Sequence, residues 1–221
     1  MENSPYEKLK IEILNGTLLP GTRLREEEIA KKLKLSRTPI REAIRRLAIE
    51  NLVKLSPNKG ATVREYTIDD IKHSYDLRAM IEGYAASLAA RNNNLILINE
   101  LEKYNKEYEM KANYYLKNRI KTDDKLMDLI DSNRKFHDVI IKLAENKYIS
   151  QMVSLLLTLP LTFQSFYWFD EKEFLNSVIT HGNIASAIKN GEADQARVLM
   201  SSHVLQGRDY VLRNVYQEFN S

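Results

Sequence analysis

Helix breakers are scarce in this chain: its 221 residues include only seven glycines and five prolines. An interior glycine costs a helix roughly 1 kcal/mol and a proline about 3, whereas many short strands need turn residues every few positions. A sequence this poor in both defaults to long helices. Its 43% hydrophobic and 29% charged residues suit a folded chain with a core. The absence of cysteine excludes a disulfide framework, a thiolate metal site and a cysteine nucleophile. The most apolar run, Met152 to Phe163, is broken by Ser154, Thr158 and Pro160 and falls well short of the roughly 20 residues that span a bilayer. The first residues lack the apolar core of a signal peptide. The expectation is a cytoplasmic protein with no membrane partner, built of two modules.

Charge divides the chain. Residues 1–66 carry a net +5 and the remainder −2, the asymmetry of a nucleic-acid-binding module joined to a near-neutral sensor or assembly module. Ser4-Pro5-Tyr6-Glu7 supplies an N-cap, a first-turn proline and a capping-box glutamate, and Tyr6, Leu9 and Ile13 recur at helical spacing up to Gly16. After the turn at Leu19-Pro20-Gly21, Glu26 to Leu33 reads as a short helix with an acidic first turn. Lys34-Leu35 breaks it, and Ser36 serves as the N-cap of a third helix running to about Asn51. Two short helices joined by a tight break, the second rich in arginine, predict a helix-turn-helix.

On that third helix Ile40, Ala43, Ile44 and Leu47 share one face, while Arg37, Arg41 and Arg45 share another with Thr38. The arginine fork pairs bidentately with guanine O6 and N7 or with phosphate. Arg37, Thr38 and Arg41 are therefore the expected base or phosphate readers, with Arg45 and Arg46 as backbone contacts. Leu52 to Leu55 and Ala61 to Val63 flank Ser56-Pro57-Asn58-Lys59-Gly60, a small hairpin with a basic tip that predicts a wing. A solvated helix face with ordinary arginines is the plainer alternative. Cap, break, second cap, apolar stripe and wing arriving in order favour DNA.

Leu35-Ser36-Arg37-Thr38-Pro39-Ile40-Arg41-Glu42-Ala43, within the stretch from Pro20 to Val63, closely resembles the winged-helix signature of GntR-family bacterial transcription regulators. Asn51 stands where many members have glycine. The resemblance implies a homodimer on a short palindromic double-stranded operator. The helix that begins at Ser36 would lie in the major groove, with the wing residues Lys59 and Gly60 near the minor groove.

From Thr67 onward the pattern predicts an all-α module of six helices: Thr67 to Arg91, Leu95 to Lys117, Asp123 to Glu145, Tyr148 to Phe169, Lys172 to Asn190, and Ala193 to about Phe219. The fold class expected is mainly α, with a winged helix-turn-helix over residues 1–66 and a helical bundle over 67–221. Three of its four histidines point at one core. Asn133 and His137 lie one turn apart on a face with Ile130, Ile140 and Ala144; His181 shares a face with Phe174, Ala185 and Ile188; His203 shares one with Ala196 and Met200. A buried histidine is most often a hydrogen-bonded core residue. Three that converge, with an amide oxygen beside them, also suit Zn2+ or Ni2+ and leave positions open to water or an effector carboxylate.

Asn133-x-x-Phe136-His137, His181-x-x-Ile184-x-x-Ala187-Ile188-x-x-Gly191 and Met200-x-x-His203 are similar to the FadR-type (FCD) ligand-binding domain that follows one branch of GntR winged helices. In metal-binding members an aspartate and three histidines hold a divalent ion beneath an effector pocket, so the resemblance implies Asn133, His137, His181 and His203 as the ligand set. The amide of Asn133 in place of aspartate is a weaker donor and leaves the site one charge more positive, which lowers metal affinity and favours an anionic effector such as an organic acid. Thr180 precedes His181 where members often have glutamate, so an outer partner of that imidazole is missing. Arg78 and Glu82, one turn apart, resemble the family's R-x-x-x-E helix; they read as a buried ion pair or, alternatively, place Arg78 as an effector clamp. The whole predicts an effector-responsive transcription repressor whose ligand shifts the placement of paired winged helices. A metal-dependent hydrolase docked on nucleic acid is the rival from another class, and a regulator without metal the third. Asn133 cannot take a proton and no glutamate follows His137 or His203 in a metalloprotease-like motif, which disfavours hydrolysis.

Overall fold

A computed structural model of the chain describes residues 4–56, 60–118, 123–156, 166 and 169–219. Packing divides it into two compact units, with the division after Ile71.

The first unit opens with α1 (Pro5–Leu14), where the Ser4 hydroxyl accepts from the Glu7 amide and the Glu7 carboxylate accepts from the Ser4 amide, the reciprocal cap that the sequence predicts. Strand β1 (Arg23–Leu24), α2 (Glu26–Leu33) and α3 (Arg37–Ile49) follow, then β2 (Val53–Ser56) and β3 (Gly60–Val63). Lys34 ends α2 in the left-handed region at φ 56°, and the Leu35 amide donates back to the Ala30 carbonyl. This closes the turn between the two helices. Asn51 also sits there, at φ 57°, which explains why a glycine suits this position and why asparagine, tolerant of that region, replaces it. Ile40, Ala43, Ile44 and Leu47 are buried together, on the face the spacing predicts.

Two details depart from expectation. Ser36 occupies the N-cap of α3 with extended backbone, but its side chain makes no capping hydrogen bond. The wing is also not a two-stranded hairpin: β1 adds antiparallel to β3, pairing Arg23 with Thr62 and Leu24 with Ala61, so the order is β1-β3-β2. A two-residue strand has no periodicity to read. Leu24 fixes it by burying its side chain in the core beneath the sheet.

The second unit is helical among its described residues: α4 (Ile68–Ala89, which begins just before the division), α5 (Leu95–Asn118), α6 (Asp123–Leu143), α7 (Lys147–Leu156), α8 (Glu171–Lys189) and α9 (Ala193–Phe219). The predicted bounds hold to within two residues except at α7, whose expected continuation towards Phe169 falls largely outside the described residues, together with Tyr167 and Trp168. Thr67 and Asp70 form the expected reciprocal cap. Helix α5 packs on α6 and α8, and α8 on α9, around Tyr108, Phe136, Phe174 and Ile184. Helices α4 and α9 approach closely: the Ser201 hydroxyl donates to the Ala79 carbonyl at 2.9 Å, and a methyl group on Gly83 would collide with Ser201 and stand 3.1 Å from the Arg197 carbonyl oxygen. Only glycine allows that crossing.

Candidate nucleic-acid interface and histidine cluster

The apolar face of α3 anchors it in the first unit, and Ser36, Arg37, Thr38, Arg41, Arg45 and Arg46 are all exposed on its outer side. Several of these arginines are already engaged. Arg41 grips Glu26 through Nε and Nη2, at 2.9–3.1 Å, and holds that carboxyl below its ordinary value. Arg37 contacts Glu27. Arg46 lies over the Tyr6 ring, 3.7 Å from its centroid, and beside Glu50, so it braces α3 against α1. Gly60 opens β3 at φ 84°, a backbone that disfavours any other residue there. Lys59, at the expected wing tip, lies outside the described residues. Sequence reasoning took Glu26 to Glu28 only as a favourable first turn for α2; their charge match to Arg37 and Arg41 was the available signal.

In the second unit α6, α8 and α9 bring His137, His181 and His203 together, with one ring nitrogen of each within 4.8 Å of the others. Nε2 of His181 and Nε2 of His203 are 3.3 Å apart. Two nitrogens bound about 2.0–2.1 Å from one tetrahedral ion would stand roughly 3.3 Å apart, so the spacing fits shared ligation as well as a hydrogen bond. Helix α4 supplies the outer partner: Nδ1 of His137 is 2.8 Å from the Glu82 carboxylate, which leaves Nε2 available. Arg78 donates its Nε–H to the other Glu82 oxygen at 2.8 Å and lies against the Tyr75 ring. Both members of this pair are buried, which favours the ion-pair reading of Arg78. Burial would raise the Glu82 carboxyl, but the Arg78 charge and the His137 contact outweigh it and hold it at about 2.

His181 is packed between two aromatic rings, Phe136 stacked at 4.2 Å and Tyr108 at 4.6 Å. Its Nδ1 is buried without a hydrogen-bond partner. The hydroxyl of Thr180 turns back to the Asn176 carbonyl instead, as the missing glutamate implies. Burial, reinforced by the neighbouring imidazoles, lowers His181 well below its usual value and His203 to about 3. Both are therefore neutral near pH 7, the protonation state that a metal ligand requires. Asn133, one turn before His137, is half-buried. Sequence reasoning found the three histidines but missed Glu82 as a partner of His137.

Residues 73–206 match the FCD domain, and residues 3–63 match the bacterial regulatory proteins of the gntR family. The chain belongs to the GntR family, in its FCD branch. Among relatives of this GntR regulator, the uncharacterized HTH-type transcriptional regulator YdhC of Bacillus subtilis is 30% identical over 148 residues, 67% of this chain and 62% of that one. The gluconate operon transcriptional repressor of Bacillus licheniformis is 26% identical over 96% of this chain and 79% of its own. The solved structure of E. coli McbR/YncC shares the fold at a TM-score of 0.75 with 22% identity, covering 97% and 96% of the two chains. The GntR chain is thus a DNA-binding transcription regulator and not an enzyme, which sets the hydrolase reading aside. Among the described residues no helix is long and apolar enough to cross a membrane.

Proposed function

We propose that this GntR regulator is a cytoplasmic repressor that binds a palindromic operator as a homodimer and is released by a small organic acid held in the helical unit. The observation that carries the DNA half is the exposed arginine face of α3, fixed by four buried apolar residues on the opposite side. Arg37, Thr38 and Arg41 read the major groove, Arg45 and the wing hold the backbone, and a phosphate or base competes with Glu26 and Glu27 for the two paired arginines. Repression is supported by the relative named a gluconate operon transcriptional repressor, and an acidic effector by the extra positive charge that an ion would carry where the neutral Asn133 amide stands among its ligands. The exposed side chains of Leu77, Met80 and Tyr84, spaced along one side of α4, offer an apolar face for the second copy.

His137, His181 and His203, with the Asn133 amide, would hold a divalent ion of the zinc or nickel type; when bound, it supplies open coordination for a carboxylate. Neutral imidazoles at compatible spacing support this reading, and Glu82 orients His137 for it. The effector acts by its unequal affinity for the DNA-competent and incompetent states.

The test starts with duplexes selected by the protein from a random pool. Arg37→Ala and Arg41→Ala should each weaken binding to the selected duplex by roughly tenfold or more while shuffled duplex is less affected. Wild-type binding by the double variant would overturn the assignment of α3. Native mass spectrometry of protein purified without chelator should show a dimer with one metal ion per chain, lost in His137→Ala. A metal-free dimer that still responds to an organic acid would favour histidines with a purely structural role.

A further inference from the structure

Between α3 and the wing lies an open groove of about 630 Å³, lined by arginines from two separate elements: Arg41 and Arg45 of α3, Arg23 of β1, and Arg25 just beyond it. Their charges are not equivalent. Arg41 is tied to Glu26 and Arg25 to Glu28. Arg23 and Arg45 form no ion pair with a described residue. Leu24 anchors β1 from below, and strand alternation turns Arg23 outward. Gly60 borders the same groove beside Arg23: a Cβ built on it would meet only Nε of Arg23, at an ordinary contact distance of 3.9 Å.

We propose that Arg23 and Arg45 together take a phosphodiester of the bound duplex, making β1 a third DNA-contacting element beside α3 and the wing. This rests on the DNA-binding reading. A helix in the major groove and a wing at the adjoining minor groove necessarily have a sugar-phosphate strand passing between them. The space available for that strand is this groove, and on its walls sit Arg23 and Arg45, neither held in a close ion pair by a described residue, with Glu26 acting on Arg45 only at longer range. A phosphate needs charge and not a particular base, so Arg23 contributes to affinity without contributing to sequence choice.

Fluorescence anisotropy on the full chain, with a duplex selected by the wild type and a shuffled duplex of equal length, tests this across a series of KCl concentrations. Arg23→Ala should weaken both duplexes by the same factor, roughly fivefold to tenfold near 0.1 M salt, and lower the slope of log affinity against log salt by about one. Arg23→Lys should recover most of the loss, because a point charge still meets the phosphate. Circular dichroism controls for folding, and Arg23→Gln replaces the alanine variant if β1 does not tolerate it. Unchanged affinity and slope overturn the proposal. So does a loss confined to the selected duplex, which would make Arg23 a base reader. If the wild type selects no sequence and binds neither duplex, the DNA-binding reading itself fails, an outcome distinct from wild-type binding that ignores Arg23.

Discussion

The same pair of residue types appears in both units under opposite conditions. Arg41 and Glu26 meet at the surface of the winged helix, whereas Arg78 and Glu82 meet inside the bundle with 7% and 2% of their side chains exposed. In water, an ion pair gains little over the hydration it gives up, so it opens readily when another anion arrives. In a core neither partner has water to return to, and removing one strands the other. The surface pair suits a residue that must exchange a carboxylate for a nucleotide; the buried pair suits one that must never let go of an imidazole.

The contrast breaks most visibly at Glu82. Glu82→Gln should destabilise the helical unit by about 3–5 kcal/mol, because Arg78 keeps its buried charge without a counter-ion and an amide NH2 replaces one of the two oxygens that face Arg78 and His137. Thermal denaturation measures this, and a melting temperature within error of the wild type would mean that the core is wetter than its packing indicates.

Acid should separate the two units next. His181 and His203 are neutral in the fold and take up protons near pH 6.5 when unfolded. As pH falls from 6.5 towards 3 the unfolded state binds protons that the folded state refuses, and stability drops by at most about 1.4 kcal/mol per pH unit for each imidazole. Glu82 acts in the same direction at lower pH: its contribution is full above 4.5 and lost as pH falls through about 2. Amide hydrogen exchange at pH 7 and pH 4.5 should show protection lost in residues 123–156 well before residues 26–49. Equal loss in both would contradict the buried-histidine account.

The smallest change in stability should come from Glu26→Gln, with no measurable shift in melting temperature since Arg41 returns to water. Its effect should appear in recognition instead. Glu26 holds the Nε–Nη2 edge of Arg41 and so fixes the orientation of its guanidinium, and releasing it should narrow the affinity ratio between selected and shuffled duplexes. An unchanged ratio would show that Arg41 reaches DNA without guidance from α2.

Legibility followed the range of the interaction. Helices, caps and the inward faces of His137, His181 and His203 obey rules spanning a few residues, and each was readable from spacing. The Arg78–Glu82 pair, one helical turn apart, was readable for the same reason. What escaped joins distant positions: Glu26 to Arg41 over 15 residues, His137 to Glu82 over 55, and β1 to β3. No local pattern encodes which helix will face which, and a two-residue strand is defined only by its neighbour. The silent hydroxyl of Ser36 was a different failure, since a residue of the right type at the right position still formed no cap bond.

The pairing of Arg23 with Thr62 also sets an order of events during synthesis. Helices α1 to α3 pack on one another through residues synthesised by Glu50, so they can begin to condense on a nascent chain whose wing has not yet left the ribosome, although their shared core is completed only by Leu52, Val53, Ala61 and Val63. Strand β1 must wait for β3, some 40 residues later, and bear the loop-closure entropy of that delay. Until then the side chain of Leu24 has no lid, and a chain stalled before Val63 would present a greasy notch for chaperones to cover.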